Sequence, residues 1–327
     1  MEVDTNSLIA AYVLDGQGGA KQVYWEEVRE WKPGSDTIWV HLDRTGSESQ
    51  RWIYEDSGLD SVAGNALLAH SSRPRYVPHA NGLLLDFRGV NLNPGANPDD
   101  MVSIKIWAEP GRVISSRHRH LEAIEDIRET LKHESLRGPR DVGDLIVGIA
   151  DRLIERMDTA IDKLERSLDK VETEIATAKG PIRESRLPGL RSQAIGLRRY
   201  IAPQRELLSR LVVEETDLLD QAHRIRIREL DDRVTRLVED LDAVRERATV
   251  MQDRLAQLHS ERMERTMLVL SVIAAVFLPL GLLTGLLGIN TGGIPGAGSD
   301  LGFAAVAVIL VFIAALEVWI FHKAHWF

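Results

Sequence analysis

The sequence of 327 residues contains no cysteine. Disulfide bonds, thiolate zinc sites, iron–sulfur clusters and a cysteine nucleophile are therefore excluded. A surplus of basic residues is missing as well, because the formal net charge is −9. Proteins that bind nucleic acid by releasing counterions need a basic surface, so we do not expect nucleic acid as a partner.

Catalytic signatures are also missing. The sequence has no nucleophile elbow, HExxH, Walker or dinucleotide-binding motif. Residues 15–19 are rich in glycine but lack the Lys-Ser/Thr of a phosphate loop, so they predict a turn. His118 and His120 would share one side of a strand, but the alternating Arg117 and Arg119 disfavour a bound cation. We therefore expect neither an enzyme nor a resident cofactor.

Charged residues almost disappear towards the C-terminus. From residue 266 to residue 321 only Asp300 and Glu317 are ionisable. A helix needs about 20 apolar residues to cross the hydrocarbon core of a bilayer. The sequence therefore predicts a first transmembrane helix, an external loop and a second transmembrane helix, at residues 266–288, 289–300 and 301–321.

Basic residues predict the orientation of these two helices. Arg262 and Arg265 precede the first helix, Lys323 follows the second, and the loop between them contains neither Lys nor Arg. The positive-inside rule then places the large N-terminal body and the tail, residues 322–327, in the cytoplasm. The first residues lack a secretory signal, which agrees with this placement. We expect a multi-pass protein of the inner (plasma) membrane with both termini cytoplasmic.

Helix breakers are missing from a long central stretch. Neither Gly nor Pro occurs between Gln204 and Leu278. Apolar residues recur there at steps of three and four, the heptad pattern of a buried helix, at Ile227, Leu230, Val234, Leu237, Leu241, Val244, Ala248, Met251, Leu255 and Leu258. We infer one helical rod beginning near Ala222, with a stalk over residues 222–265 that continues into the membrane. Such a rod can transmit movement to the membrane, and a stalk without a gating role fits the pattern equally well.

The part before the stalk predicts a mixed α/β domain, residues 1–140, and a helical hairpin, residues 141–221. Strands are predicted at residues 38–42, 83–87, 101–107 and 112–116, the last two as a hairpin. Helices are predicted at residues 49–56, 62–69, 141–179 and 190–211. The fold class is therefore an α+β cytoplasmic domain, with a sheet of about half a dozen strands and long helices, attached to two transmembrane helices.

Two helices enclose no water-filled path, so a pore requires several copies of the chain. One stripe of the first transmembrane helix contains Ser271, Ala274, Leu278, Gly281, Gly285 and Gly288. This stripe fits either pore lining or close packing between helices. Glu317 is costly within a membrane, and both pairing with a cation and a protonatable role explain it.

The end of the first transmembrane helix resembles a known signature. Residues 277–280, Phe-Leu-Pro-Leu, and 284–290, Thr-Gly-Leu-Leu-Gly-Ile-Asn, are similar to the signature of the CorA superfamily of divalent-cation transporters. That superfamily usually carries Gly-Met-Asn, whereas Gly-Ile-Asn followed by Gly-Gly-Ile-Pro-Gly at 292–296 resembles its zinc-transporting branch, the ZntB proteins. Ser-Arg-Pro-Arg at 72–75 and Arg-Arg-Tyr-Ile-Ala-Pro-Gln-Arg at 198–205 extend the resemblance across the chain.

This resemblance implies a homopentamer with a cytoplasmic funnel and a central pore. Through this pore the protein would take up zinc into the cytoplasm, and members of the zinc branch are associated with proton-coupled uptake. It implies an outer ring of Asn290 side chains, whose amide oxygens and the neighbouring carbonyls of Gly288 and Ile289 contact the hydrated ion. The pore face below that ring would contain Thr284, Gly281, Leu278, Ala274, Leu270 and Met267, the last four as an apolar constriction. Relatives commonly carry Thr at position 281, so the Gly here removes an expected polar ring.

Proton coupling would need a titratable group near the pore, and the candidates are Asp300 and Glu317. No tightly bound metal is expected, because the first transmembrane helix contains neither Cys nor His. A magnesium or cobalt channel of the same architecture is the first alternative. A two-span coiled-coil sensor that carries no ion is the second, although the short external loop leaves little surface for a ligand.

Overall fold

The computed structural model of the chain describes residues 7–70, 73–80, 82–132, 138–177, 186–289 and 301–323. The chain divides into two compact units, Met1–Gln252 and Asp253–Phe327. The first unit contains a sheet and most of the helices. The second contains the remainder of one long helix and a further apolar helix.

The described residues form seven strands and eight α helices. The strands are β1 (Leu8–Leu14), β2 (Ala20–Gln22), β3 (Ile38–Asp43), β4 (Arg75–His79), β5 (Gly82–Gly89), β6 (Val102–Glu109) and β7 (Arg112–Arg117). The helices are α1 (Trp25–Glu30), α2 (Ser47–Arg51), α3 (Ser61–Leu68), α4 (Glu122–Lys132), α5 (Val142–Thr177), α6 (Leu187–Val213), α7 (Gln221–Leu287) and α8 (Gly302–Lys323). A π-helical turn, Trp52–Asp56, follows α2 directly.

All seven strands belong to one mixed sheet in the order β2-β1-β3-β7-β6-β5-β4. Strands β3 and β7 are parallel, and every other neighbouring pair is antiparallel. The predicted hairpin is confirmed as β6 and β7, which pair from Ile104 opposite Arg117 to Glu109 opposite Arg112. Strand β5 is buried along its whole length, as expected for a strand covered on both faces.

Helices cover both faces of the sheet. One face packs with α1, the π-helical turn and α3 around an apolar core of Ala11, Val23, Val28, Ile38, Val40, Leu42, Trp52, Ile53, Ala63, Ala66, Leu67, Leu84, Trp107 and Ile114. Helices α5 and α6 both contact β5. Gly89 at the end of β5 permits one of these close approaches, because a Cβ atom there would lie 2.6 Å from Leu121 Cδ1 and 2.7 Å from Leu153 Cδ2.

Buried polar groups in the sheet are paired with one another. The Lys105 ammonium donates to the Asp86 carboxylate across β5 and β6 at 2.6 Å. His41 is fully buried in β3, with Nδ1 2.8 Å from Ser115 Oγ, and its Nε2 accepts from Arg117 Nε at 3.1 Å. Burial, and then the charges of Arg117 and Arg128, hold the pKa of His41 well below its ordinary value.

The long helices follow the predicted periodicity. The heptad residues of α7 are buried from Ile227 to Leu255, and beyond Leu255 no described residue of α7 is buried. Ion pairs join α7 to α5, with Arg233 Nη1 2.7 Å from Asp151 Oδ1 and Arg247 Nη2 2.7 Å from Asp169 Oδ1. The predicted rod is thus one continuous helix whose apolar face is buried as far as Leu255 and uncovered beyond it.

Several elements were not anticipated from the sequence. These are the strands β1, β2 and β4 and the helices α1 and α4. Residues 15–19 form the predicted turn, in which Asp15 Oδ1 accepts from the backbone N–H groups of Gln17 at 2.7 Å and Gly19 at 2.9 Å. The predicted end of the first hairpin helix, residues 178–179, lies outside the described residues.

Candidate functional site at the membrane helices

Among the described residues, two helices are long and apolar enough to cross a membrane, namely α7, through its C-terminal part, and α8. The most apolar stretch of each helix has no buried residue within the chain. An uncovered apolar surface of this size needs a nonpolar environment, which lipid or further copies of the chain supply. Trp319 and Lys323 form a cation–π contact at 5.1 Å near the end of α8, in the region where we expect interfacial anchoring.

The predicted constriction residues lie on one stripe of α7. Met267, Leu270, Ala274 and Leu278 follow one another at steps of three and four, which places their side chains on one side of the helix. Met267, Leu270 and Leu278 are 62%, 61% and 71% exposed within the single chain. The stripe is therefore free to face either a lumen or a neighbouring helix.

At the polar end of this stripe, backbone carbonyls accept hydrogen bonds from Thr284 and Gly288. The Thr284 hydroxyl donates to the Leu280 carbonyl at 2.9 Å, which leaves its oxygen lone pairs as acceptors. No atom lies within 4 Å of a Cβ built on Gly281, so this position is open in the single chain. Helix α7 ends at Leu287, and the Gly288 N–H donates to the Thr284 carbonyl at 2.9 Å. Ile289 is the last described residue before position 301 and is 47% exposed.

The remaining candidate residues are Asn290, Asp300 and Glu317. Asn290 and Asp300 lie outside the described residues. Glu317 lies on α8 and is half-buried, and its Oε2 accepts no hydrogen bond from the residues that the structure describes. Both a pairing role and a protonatable role for Glu317 therefore stay predictions.

The sequence motif at residues 198–205 has a packing role. The Arg88 guanidinium lies over the Tyr200 ring at 4.7 Å. The Gln204 amide accepts from the Arg88 backbone N–H at 3.0 Å and donates to the Met157 sulfur at 3.6 Å. These contacts fix α6 against β5 and α5, so the motif contributes to the scaffold.

Among the described residues, the structure brings together one group of three potential metal ligands that the sequence analysis did not identify: Asp141, Asp144 and His223. The sequence signal for this group was Asp-x-x-Asp at the start of α5 together with Asp-x-x-His at the start of α7. The His pair that we discounted is not part of this group. His120 instead contacts Glu122, with Nε2 3.2 Å from Oε1, while His118 is exposed.

An α/β unit combined with two uncovered apolar helices of membrane-spanning length defines an integral membrane protein. The family described as "CorA-like Mg2+ transporter protein" matches residues 34–323. Because this match covers most of the sequence, the chain belongs to the CorA-like family, as the signature predicted.

Individual relatives support the same assignment over the full length. The chain is 38% identical to "Divalent cation transporter CmaX" of Pseudomonas aeruginosa, over 99% of this chain and 98% of the relative. It is 36% identical to "Zinc transport protein ZntB" of Pectobacterium carotovorum, over 99% of this chain and 98% of the relative. The solved structure of full-length CmaX superposes with a TM-score of 0.87 at 38% identity and covers 100% of both chains.

Proposed function

We propose that this protein carries divalent metal cations, zinc foremost, across the inner membrane into the cytoplasm through a pore formed by five copies of the chain. The observation that carries this proposal is full-length similarity to proteins named as divalent-cation and zinc transporters, at 38% and 36% identity. The predicted orientation, with both termini in the cytoplasm, is part of the proposal.

Several copies are needed because the described part of each chain supplies only two helices of membrane-spanning length. Two helices in lipid have no room for a wet lumen between them. The open stripe of α7 supports a pore lined by this helix, with Met267, Leu270, Ala274 and Leu278 as its narrow apolar part. A hydrophobic constriction of this kind gates by losing its water when the helices move together.

The ion would be received where α7 ends. The last carbonyl groups of a helix lack intrahelical partners, and the helix dipole places partial negative charge there. The end of α7 at Leu287 therefore supports a cation-attracting position for the carbonyls of Gly288 and Ile289. In our proposal a ring of Asn290 amides adds oxygen acceptors that contact the hydration shell of the ion, and Thr284 lies one turn further in.

The chemistry of the predicted ring does not select zinc by itself, because a ring of amide oxygens has no intrinsic preference for zinc over magnesium. The family description names Mg2+, which favours a magnesium or cobalt channel as the second candidate function. Coupling to protons would use Glu317 or Asp300, the ionisable residues from position 266 to position 321. A pH gradient that drives zinc uptake in the absence of a zinc gradient would support coupling.

The test uses purified full-length protein in proteoliposomes that contain a zinc-sensitive dye. We expect Asn290→Ala to reduce zinc uptake to the level of empty vesicles while the oligomer still forms. Asn65→Ala makes the same chemical change on α3, far along the chain from the signature, and should transport like the wild type. Competition by Mg2+ and Co2+ separates the two candidate functions, and normal zinc flux through Asn290→Ala would remove the ring from the mechanism.

A further inference from the structure

Helices α5 and α7 are joined by a row of ion pairs, and we call this contact the α5–α7 seam. Arg226 Nη1 lies 2.8 Å from Asp144 Oδ1, and Arg233 Nη1 lies 2.7 Å from Asp151 Oδ1. Seven residues make nearly two helical turns, so the two arginines lie on the same side of α7. Both pairs join residues 82 positions apart in the sequence, so the two helices run in the same direction in one register.

At the next step this register places two carboxylates opposite each other. Asp240 lies seven residues after Arg233, and a separation of 82 positions assigns it Asp158 on α5. Seven residues further along α7 an arginine returns, and Arg247 Nη2 lies 2.7 Å from Asp169 Oδ1. Between positions 226 and 247, position 240 is thus the step at which α7 carries an acid where the other steps carry Arg.

The charges around Asp240 repel one another. Asp158 and Asp240 line the same cavity of about 290 Å3, at a position where the seam is incompletely filled. Burial raises the pKa of Asp240, and the negative charge of Asp158 is the next cause. Glu239 and Asp162 act in the same direction, whereas Arg236 opposes them without cancelling the effect. The ionised form of Asp240 is therefore disfavoured, in part by like charge across the seam.

The repulsion extends to Glu165, the residue that the register would pair with Arg247. Burial raises the pKa of Glu165, and the charge of Asp240 is the next cause. Arg247 does not pair with Glu165, because its Nη2 lies 2.7 Å from Asp169 Oδ1 and 2.5 Å from Glu172 Oε2. Its positive charge therefore offsets only part of the repulsion at Glu165.

Apolar packing keeps the seam closed at this step. Leu237 and Leu241 flank Asp240 on α7 and are 4% and 0% exposed. Ile161 and Leu164 occupy the same stretch of α5 and are also buried. At the arginine steps, apolar packing and charge attraction both hold the helices together. At the Asp240 step the two act against each other.

We propose that the step at Asp158 and Asp240 is an electrostatic weak point of the α5–α7 seam, where the two helices separate locally more readily than at the arginine steps on either side. Salt acts with opposite sign at the two kinds of step, because screening relieves the repulsion here and weakens the ion pairs there. The continuous helix α7 thus has one point in its packed part where ionic strength tightens its attachment. The proposal does not depend on transport, because all of these residues belong to the first compact unit.

The experiment measures amide hydrogen exchange of the full-length protein in detergent by mass spectrometry, which reports local opening. The two conditions are about 0.01 M and about 1 M NaCl, between which the Debye length falls from about 30 Å to about 3 Å. In the wild type we expect high salt to slow exchange over residues 237–244 at least ~3-fold relative to residues 226–233 and 247–251, a change within the range of exposed charge pairs.

Charge reversal on either helix should close the weak point. Asp240→Arg supplies the missing arginine, so exchange over residues 237–244 at low salt should slow at least ~3-fold, and high salt should then accelerate it. Asp158→Arg should produce the same slowing while leaving the amides of α7 chemically unchanged. If Asp240→Arg fails to fold, Asp158→Arg decides the question together with Asp240→Asn, which removes one charge and should slow exchange less.

Asp232→Arg is the matched control. Asp232 is exposed on α7 and, like Asp240, lies four residues from Arg236, but the register places the uncharged Ala150 opposite it. This variant should keep the wild-type exchange over residues 237–244. The proposal is overturned if salt acts alike on residues 237–244 and on the arginine steps of the wild type, or if correctly folded Asp158→Arg exchanges like the wild type. Equal slowing in Asp232→Arg and Asp158→Arg would also overturn it, since added positive charge anywhere on the helices would then suffice.

Discussion

The buried ion pair of the sheet provides a quantitative test of the fold. Asp86 and Lys105 face each other on β5 and β6, 2.6 Å apart, and each side chain is only 2% exposed. Replacing Asp86 with Asn removes the carboxylate and leaves the Lys105 ammonium in the interior. Breaking a buried pair in this way costs about 3–5 kcal/mol. The ratio of folded to unfolded protein should therefore fall by roughly 10²–10⁴, at about 1.4 kcal/mol per factor of ten.

In a unit of this size, that loss lowers the unfolding midpoint by about 6–20 °C. The assay is thermal unfolding of the full-length protein in detergent, followed by circular dichroism, with monodispersity checked beforehand. The matched control is Glu55→Gln, because the Arg51–Glu55 pair has side chains that are 57% and 62% exposed. An exposed pair of this kind contributes little to stability, so the control should unfold like the wild type.

A double variant tests the physical reason. Asp86→Val combined with Lys105→Met replaces the pair with apolar side chains, so neither charge remains in the interior. This variant should be less destabilised than Asp86→Asn, because replacing a whole buried pair is often neutral or stabilising. The reasoning is refuted if Asp86→Asn unfolds within ~2 °C of the wild type, or if the double variant is destabilised as strongly as the single one.

Two further predictions concern the same unit. The depressed pKa of His41 means that the folded protein keeps this ring neutral while the unfolded chain takes up a proton below about pH 6.5, so part of the stability is lost as the pH falls through that value. We measure the unfolding midpoint from neutral pH to pH 5 and expect it to fall less steeply with falling pH in His41→Asn than in the wild type. The same slope in both proteins would contradict this role of His41. Gly89→Ala should destabilise by about 1–3 kcal/mol because its Cβ overlaps two buried leucine side chains. Gly148→Ala on α5 has open space around its Cβ and should stabilise by about 0.5–1 kcal/mol, so equal effects in urea unfolding would refute the packing argument.

The sequence was sufficient to predict the long helices and the membrane segments. The heptad residues of α7 repeat over many turns, and the apolar stretches of α7 and α8 are uninterrupted, so each signal accumulates along the chain. The signature ending in Gly288, Ile289 and Asn290 was sufficient to predict the family. It does not by itself establish the ring of Asn290 side chains, which depends on how copies assemble.

The two edge strands, β2 and β4, were not predicted, because such short segments give too weak a periodic signal. Strand β2 has only three residues, and β4 contains Pro78, which is tolerated on a sheet edge but argues against a strand in the sequence. The parallel pairing of β3 with β7 joins segments far apart in the chain. Pairing of this kind is set by burial on both faces of the sheet, which no local pattern records.

The meeting of Asp141 and Asp144 with His223 was likewise decided by the tertiary structure. Each aspartate cap is visible locally, and each helix start could be placed from the sequence alone. Their proximity depends on the packing of α5 with α7 and on the absence of a side chain at Gly143. Periodicity along the chain thus determined the helices and their membrane segments, whereas long-range packing decided which polar groups share a site, because that packing depends on contacts between residues distant in sequence.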